Sequence, residues 1–164
     1  MRIAKWLQSK TPDAFVTLMI VLCGCATDDI FSRFHYKNEK IGGFTKHFTE
    51  SLFDTTEKRL FSVELLLWDG NLSTGENRVY LIVHNNEDKD VAGADIGVVA
   101  KNKGTGSTVK ASILDKGDGL YSTKGLTLDR PGDWEISVTV TKDGRSDRTL
   151  FSFPHVLMKR SGGG

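Results

Sequence analysis

From residue 60 onward the chain is written in short apolar and polar pieces, each stopped by glycine, asparagine or aspartate, and this restricts it to consecutive antiparallel strands. Seven pieces can be read, over residues 60–68, 77–84, 93–101, 107–114, 120–128, 133–141 and 148–156. Their starts lie 13 to 17 residues apart, and the intervals carry turn signals such as Asn85-Asn86, Gly117-Asp118-Gly119, Pro131-Gly132 and Asp143-Gly144. Parallel strands need a crossover of a dozen or more residues, usually a helix, and no amphipathic helix fits these intervals. The expected fold class is therefore all-β, an antiparallel β-sandwich of about seven strands.

The alternation is clearest in residues 133–141. Trp134, Ile136, Val138 and Val140 fall on one face, and Glu135, Ser137, Thr139 and Thr141 on the other. Trp134 is therefore read as a core plug. Tyr121 alternates with Leu120 and Ser122 and is expected between the sheets or at a corner, with its hydroxyl bonded to backbone.

The chain starts differently. Its 22 basic and 21 acidic side chains nearly cancel, which removes the charge excess expected of a nucleic-acid binder, yet Arg2, Lys5 and Lys10 precede the first acid, Asp13. The apolar run over residues 14–22 has nine residues, against the roughly 20 needed to span a bilayer as a helix. A basic leader, a short apolar run and small residues form the pattern of a secretory signal. Its end, Leu22-Cys23-Gly24-Cys25, resembles the lipobox of bacterial lipoproteins. That resemblance implies a signal peptide over 1–24, cleavage before Cys25, a diacylglycerol thioether on its sulfur and acylation of the new amine. Cys23 fails the same pattern, because Leu22 directly before it is too large. A plain secretory signal, or a short uncleaved anchor, stays open as an alternative. Cleavage discards Cys23 and blocks Cys25, so the mature chain has no free thiol. It carries 19 basic and 20 acidic side chains, so the expected membrane partnership runs through the lipid. Ala26 rather than aspartate after Cys25 implies the outer membrane, facing the periplasm, in a Gram-negative envelope; in a Gram-positive one the anchor lies on the outer face of the plasma membrane.

Residues 25–59 are read as the lipidated N-terminus and a partly ordered tether. Phe31, Phe34, Tyr36, Phe44, Phe48 and Phe53 recur there without a period of 2 or 3.6. They either pack on the flank of the following domain, lie in the lipid interface, or dock on an envelope protein partner. A short helix is expected within residues 49–60, with Thr49 or Ser51 as its N-cap. The sandwich is expected over 60–157 and a flexible tail over 158–164.

The domain resembles a known family in Gly119-Leu120-Tyr121, Leu126-Thr127-Leu128, the run from Arg130-Pro131-Gly132-Asp133-Trp134-Glu135-Ile136 and Val138-Thr139-Val140. These residues are similar to the closing motif of YtkA-like and FixH-like domains. Gly75-Glu76-Asn77 and Val91-Ala92-Gly93-Ala94-Asp95-Ile96 agree with its earlier strands. The resemblance implies an immunoglobulin-like sandwich outside the cytoplasm, with Tyr121, Pro131, Gly132 and Trp134 as structural residues, and relatives linked to respiratory oxidase assembly and copper handling.

The copper candidates of the mature chain are His35, His47, His84, His155 and Met158. Soft Cu(I) prefers thiolate and thioether clusters, which are absent. His84 with His155 remains a possible pair if their strand ends meet. The turns Glu87-Asp88-Lys89-Asp90 and Asp115-Lys116-Gly117-Asp118-Gly119 offer carboxylates to calcium but match no EF-hand loop. No nucleophile elbow, phosphate loop or nucleotide fingerprint appears. The chain is therefore expected to be a non-catalytic interaction or assembly module, with a periplasmic copper- or metal-binding or respiratory oxidase assembly accessory role, or an enzyme or carbohydrate-binding module using an aromatic such as Trp68, as alternatives.

Overall fold

The structure is a computed structural model and describes residues 30–159. Twelve strands follow one helical turn, α1 (Ile30–Arg33). They are β1 (Tyr36–Ile41), β2 (Phe44–Phe48), β3 (Leu52–Thr55), β4 (Phe61–Leu67), β5 (Gly75–Asn77), β6 (Val79–Asn85), β7 (Asp95–Asn102), β8 (Thr108–Gly117), β9 (Leu120–Lys124), β10 (Leu126–Leu128), β11 (Gly132–Lys142) and β12 (Arg145–Val156). All seven expected segments are strands; the fifth is divided at Gly125, whose φ of 76° turns the chain so that β10 leaves β9 and pairs with β5.

Turn chemistry sets the register of the main hairpins. Asp143 and Gly144 both have positive φ and close β11 onto β12 through the pair Lys142 and Arg145. Asp118 and Gly119 do the same between β8 and β9. Two consecutive left-handed residues match the right-handed twist of the flanking strands, and aspartate followed by glycine reaches that conformation at low cost. At Gly119 even a methyl group is excluded, since a Cβ there would lie 2.7 Å from the carbonyl oxygen of Val83.

The main sheet has the order β12-β11-β7-β8-β9-β6-β4-β3, antiparallel throughout. β8 serves both layers: Thr108 to Ala111 pair with β7, and Ser112 to Gly117 with β9. The result is an immunoglobulin-like sandwich nearly closed into a barrel. The two edges meet where the Glu57 N–H donates to Arg148 O at 2.8 Å. The buried Asp147 carboxylate there accepts from the N–H groups of Lys58 and Leu60, which ties β12 to the β3–β4 turn.

Between the layers pack Val63, Leu65, Leu81, Val83, Val98, Ile136, Val138 and Phe151 together with Trp134. Trp134 is fully buried and its Nε1–H donates to Arg130 O at 3.1 Å, the carbonyl that precedes Pro131. Gly132, with φ 122°, lets β11 start beside Val156. Tyr121 is also fully buried; its hydroxyl donates to Val91 O at 2.5 Å and accepts from the Ala94 N–H at 2.9 Å, pinning the loop before β7.

The N-terminal segment is more ordered than a tether. No helix forms within 49–60: β3 pairs with β4 from Leu52 against Leu65 to Thr55 against Ser62. The hydroxyl of Ser51, expected to cap a helix, donates instead to Phe48 O and to the carboxylate of Glu64. β1 and β2 form a hairpin around Gly42-Gly43, and Phe44 and Phe48 are buried. The hairpin covers the outer face of β4 and β6, where Phe34, Phe48, Leu66, Tyr80 and Ile82 make a second core. Both faces of β4 and β6 are thus buried, at roughly 2 kcal/mol for each large apolar side chain removed from water.

Tyr121→Phe removes the hydroxyl partner of a buried carbonyl, that of Val91, and of the partly buried Ala94 N–H. It is expected to lower the unfolding free energy by about 1–3 kcal/mol in urea titrations without changing the far-ultraviolet spectrum of the folded protein.

Candidate functional site

Strand parity places three chemically active side chains under the N-terminal hairpin. Along β4, Phe61, Val63 and Leu65 face the main core, so Glu64 faces the hairpin; along β6, Val79, Leu81 and Val83 face the core, so His84 faces it too. Because Ser62 pairs with His84 and Glu64 with Ile82, the two side chains stand on neighbouring strands one step apart. The hairpin supplies His47. The donor atoms of His47, Glu64 and His84 all lie within 4.8 Å of one another.

Glu64 has no exposure at all, and its carboxylate is satisfied from the hairpin. Oε1 accepts from the His47 N–H at 2.6 Å and lies 2.7 Å from His47 Nδ1, while Oε2 accepts from the Phe48 N–H at 3.1 Å and the Ser51 hydroxyl at 2.8 Å. Among the described residues no lysine or arginine pairs with it. The imidazoles of His47 and His84 stack with centroids 4.5 Å apart.

The His84 side chain is 6% exposed, and Nε2 lies 2.8 Å from Asp90 Oδ1. Burial, then the neighbouring His47, lowers its pKa, against the upward pull of Asp90, Asp88 and Glu64. A neutral imidazole that donates Nε2–H to a carboxylate carries a bare lone pair on Nδ1. That atom is buried and has no hydrogen-bond partner among the described residues.

The β6–β7 turn holds the hairpin from its rim. Asp88, at φ 63°, accepts from the Thr45 N–H at 2.9 Å and from Lys40 Nζ at 2.7 Å, and the Thr45 hydroxyl also donates to it. Burial works to raise its pKa, but these donors prevail and hold it at about 2. Asp88 is therefore engaged in structure, as is Asp115, which accepts from the N–H groups of Gly93 and Gly117.

His155 lies elsewhere. It is 87% exposed at φ 61°, next to Asp133, and the neighbouring Leu157 bridges to Ser73, beyond the end of β4 opposite to Ser62 and His84. The structure thus brings His84 together with His47, and not with His155. Trp68 is no open platform: Arg33 and Arg78 lie 4.6 and 5.4 Å from its ring centroid, and Phe34 and Tyr80 pack against it. His35 is exposed and bonds Glu50. Leu22, Cys23, Gly24 and Cys25 lie outside the described residues; among those described, no helix is long and apolar enough to cross a membrane.

The depressed pKa of Asp88 gives a pH dependence of known sign. A carboxyl ordinarily at 3.8 and held at about 2 in the fold stabilises the folded form above 3.8, and that contribution disappears as pH falls from 3.8 to about 2. Amide exchange of Thr45 is expected to accelerate across that window relative to β11, and Asp88→Asn is expected to shrink the difference.

Residues 59–139 match the model of the YtkA-like family. No curated protein matches the chain in sequence. Among solved structures, a DUF4426 family protein from Pseudomonas aeruginosa PAO1 is 10% identical with a TM-score of 0.48, over 68% of this chain and 98% of its own. A DUF4785 family protein from Legionella pneumophila subsp. pneumophila str. Philadelphia 1 is 14% identical with a TM-score of 0.45, over 62% of this chain and 30% of its own. The match spans β4 to most of β11, including Glu64, His84, Tyr121 and Trp134, and the chain carries a YtkA-like domain over residues 59–139.

Proposed function

We propose that this protein is an envelope lipoprotein, anchored through an acylated Cys25, whose YtkA-like domain is a non-catalytic interaction or assembly module for an envelope protein partner. The observation that carries this reading is the spacing of Leu22-Cys23-Gly24-Cys25 from the fold, because α1 begins at Ile30, five residues after Cys25. Five residues reach at most about 18 Å when fully extended. The domain therefore works against the membrane surface and not at the end of a long stalk.

The employment of the acidic side chains supports a module without chemistry of its own. Asp88 fastens the hairpin, Asp115 and Asp147 hold loop N–H groups, and Glu64 seats β2. Phe44 and Phe48 are interior residues of the fold, so a partner meets the sandwich surface and not a free aromatic segment.

Radiolabelled palmitate fed to cells expressing the protein tests the anchor. The label is expected on the wild type, which sediments with membranes, and to be absent from Cys25→Ser, which is not cleaved at the lipobox. Label on Cys25→Ser, or an unlabelled wild type released in soluble form, would refute the reading.

A further inference from the structure

The cluster under the hairpin has a property that hydrogen bonding alone leaves unexplained. A buried ring nitrogen without a partner is a cost, and His84 Nδ1 has none among the described residues, although Nε2 of the same ring is fixed by Asp90. A carboxylate on the far nitrogen of a buried imidazole is the arrangement that orients a metal-ligating histidine and fixes which nitrogen is bare. Beside it stand a second imidazole and a buried carboxylate that, among the described residues, pairs with no lysine or arginine.

We propose that His47, Glu64 and His84 bind one divalent transition-metal ion of the zinc class, with Asp90 as the residue that positions His84. Two imidazole nitrogens and one carboxylate oxygen form a borderline donor set. Calcium takes six to eight oxygens, and Cu(I) favours sulfur, which none of the three supplies. Zinc accepts two histidines and a carboxylate, with its fourth position left to water or a further ligand. The donors, all within 4.8 Å, need shifts of under about 1 Å to surround an ion at ~2.0–2.2 Å from each. The double positive charge would balance Glu64 and Asp90.

This site goes beyond the anchoring reading and does not rest on it. His47 lies outside residues 59–139, so the family match contains two of the ligands and lacks the third. Since His47 sits on β2 and the other two on β4 and β6, the ion would clamp the N-terminal hairpin to the sandwich.

Titration of the full-length, detergent-solubilised protein with zinc chloride tests the site. The expected result is saturable binding of one ion per chain. A cobalt(II) complex of the wild type should show the strong visible absorption of a four-coordinate ion, which zinc bleaches. His47→Phe keeps the ring stack and the hydrophobic cover, and is expected to weaken binding at least ~100-fold; Asp90→Asn is expected to weaken it about 10- to 100-fold. His155→Ala should bind as the wild type does. Should His84→Ala fail to fold, His47→Phe and the cobalt spectrum still decide. The proposal is overturned by binding no tighter than about 1 mM, by wild-type affinity in both His47→Phe and Asp90→Asn, or by the weak absorption of a six-coordinate cobalt ion.

Discussion

The outer face of the sandwich depends on one buried carboxylate. Glu64 lies in the middle of a strand whose other residues are largely apolar, with no exposure and, among the described residues, no lysine or arginine to balance it. An isolated charge in such a place costs several kcal/mol. What makes it tolerable is a set of donors from one short stretch of chain: the N–H groups of His47 and Phe48 and the hydroxyl of Ser51. The same bonds place Phe48 over Leu66, Tyr80 and Ile82 and so build the second core. Polar seating and apolar cover are one arrangement, and the loss of either exposes the other.

Much of the sandwich is legible in the sequence, because its signals are local. Trp134 to Thr141 alternate strictly, and Asp143-Gly144 and Asp118-Gly119 fix the hairpins that follow β11 and β8. The N-terminal strands are not legible in the same way. β1 is exposed along its whole length and β3 has only four residues, so neither carries a clean period, and both owe their conformation to partners elsewhere. A trace of the cover was present in β4 and β6 themselves. Leu65-Leu66-Leu67 and Val79-Tyr80-Leu81-Ile82-Val83 are apolar at both parities, which is the mark of strands buried on both faces. A sandwich with one solvated face would not need it.

The site is harder still to read from sequence. His84 could be singled out as a candidate, but its neighbour His47 is 37 positions away and reaches it only through the fold of the hairpin. His155, the other candidate, is carried to the opposite end of the sheet by β12. Proximity of this kind comes from register and layer packing, which are non-local. Chain order then acquires meaning: Leu22-Cys23-Gly24-Cys25, ten residues that include α1, a hairpin and the sandwich follow one another, so whatever tightens the hairpin also tightens the part of the fold nearest in sequence to residue 25.

The most direct measurement is hydrogen exchange at the amides of His47 and Phe48, the two backbone donors to Glu64. If Glu64 seats the hairpin, both amides exchange slowly in the wild type, within about tenfold of those in β4, and lose that protection in Glu64→Ala while the β11 amides keep theirs. Rapid exchange of both amides in the wild type, or protection unchanged in Glu64→Ala, would contradict it.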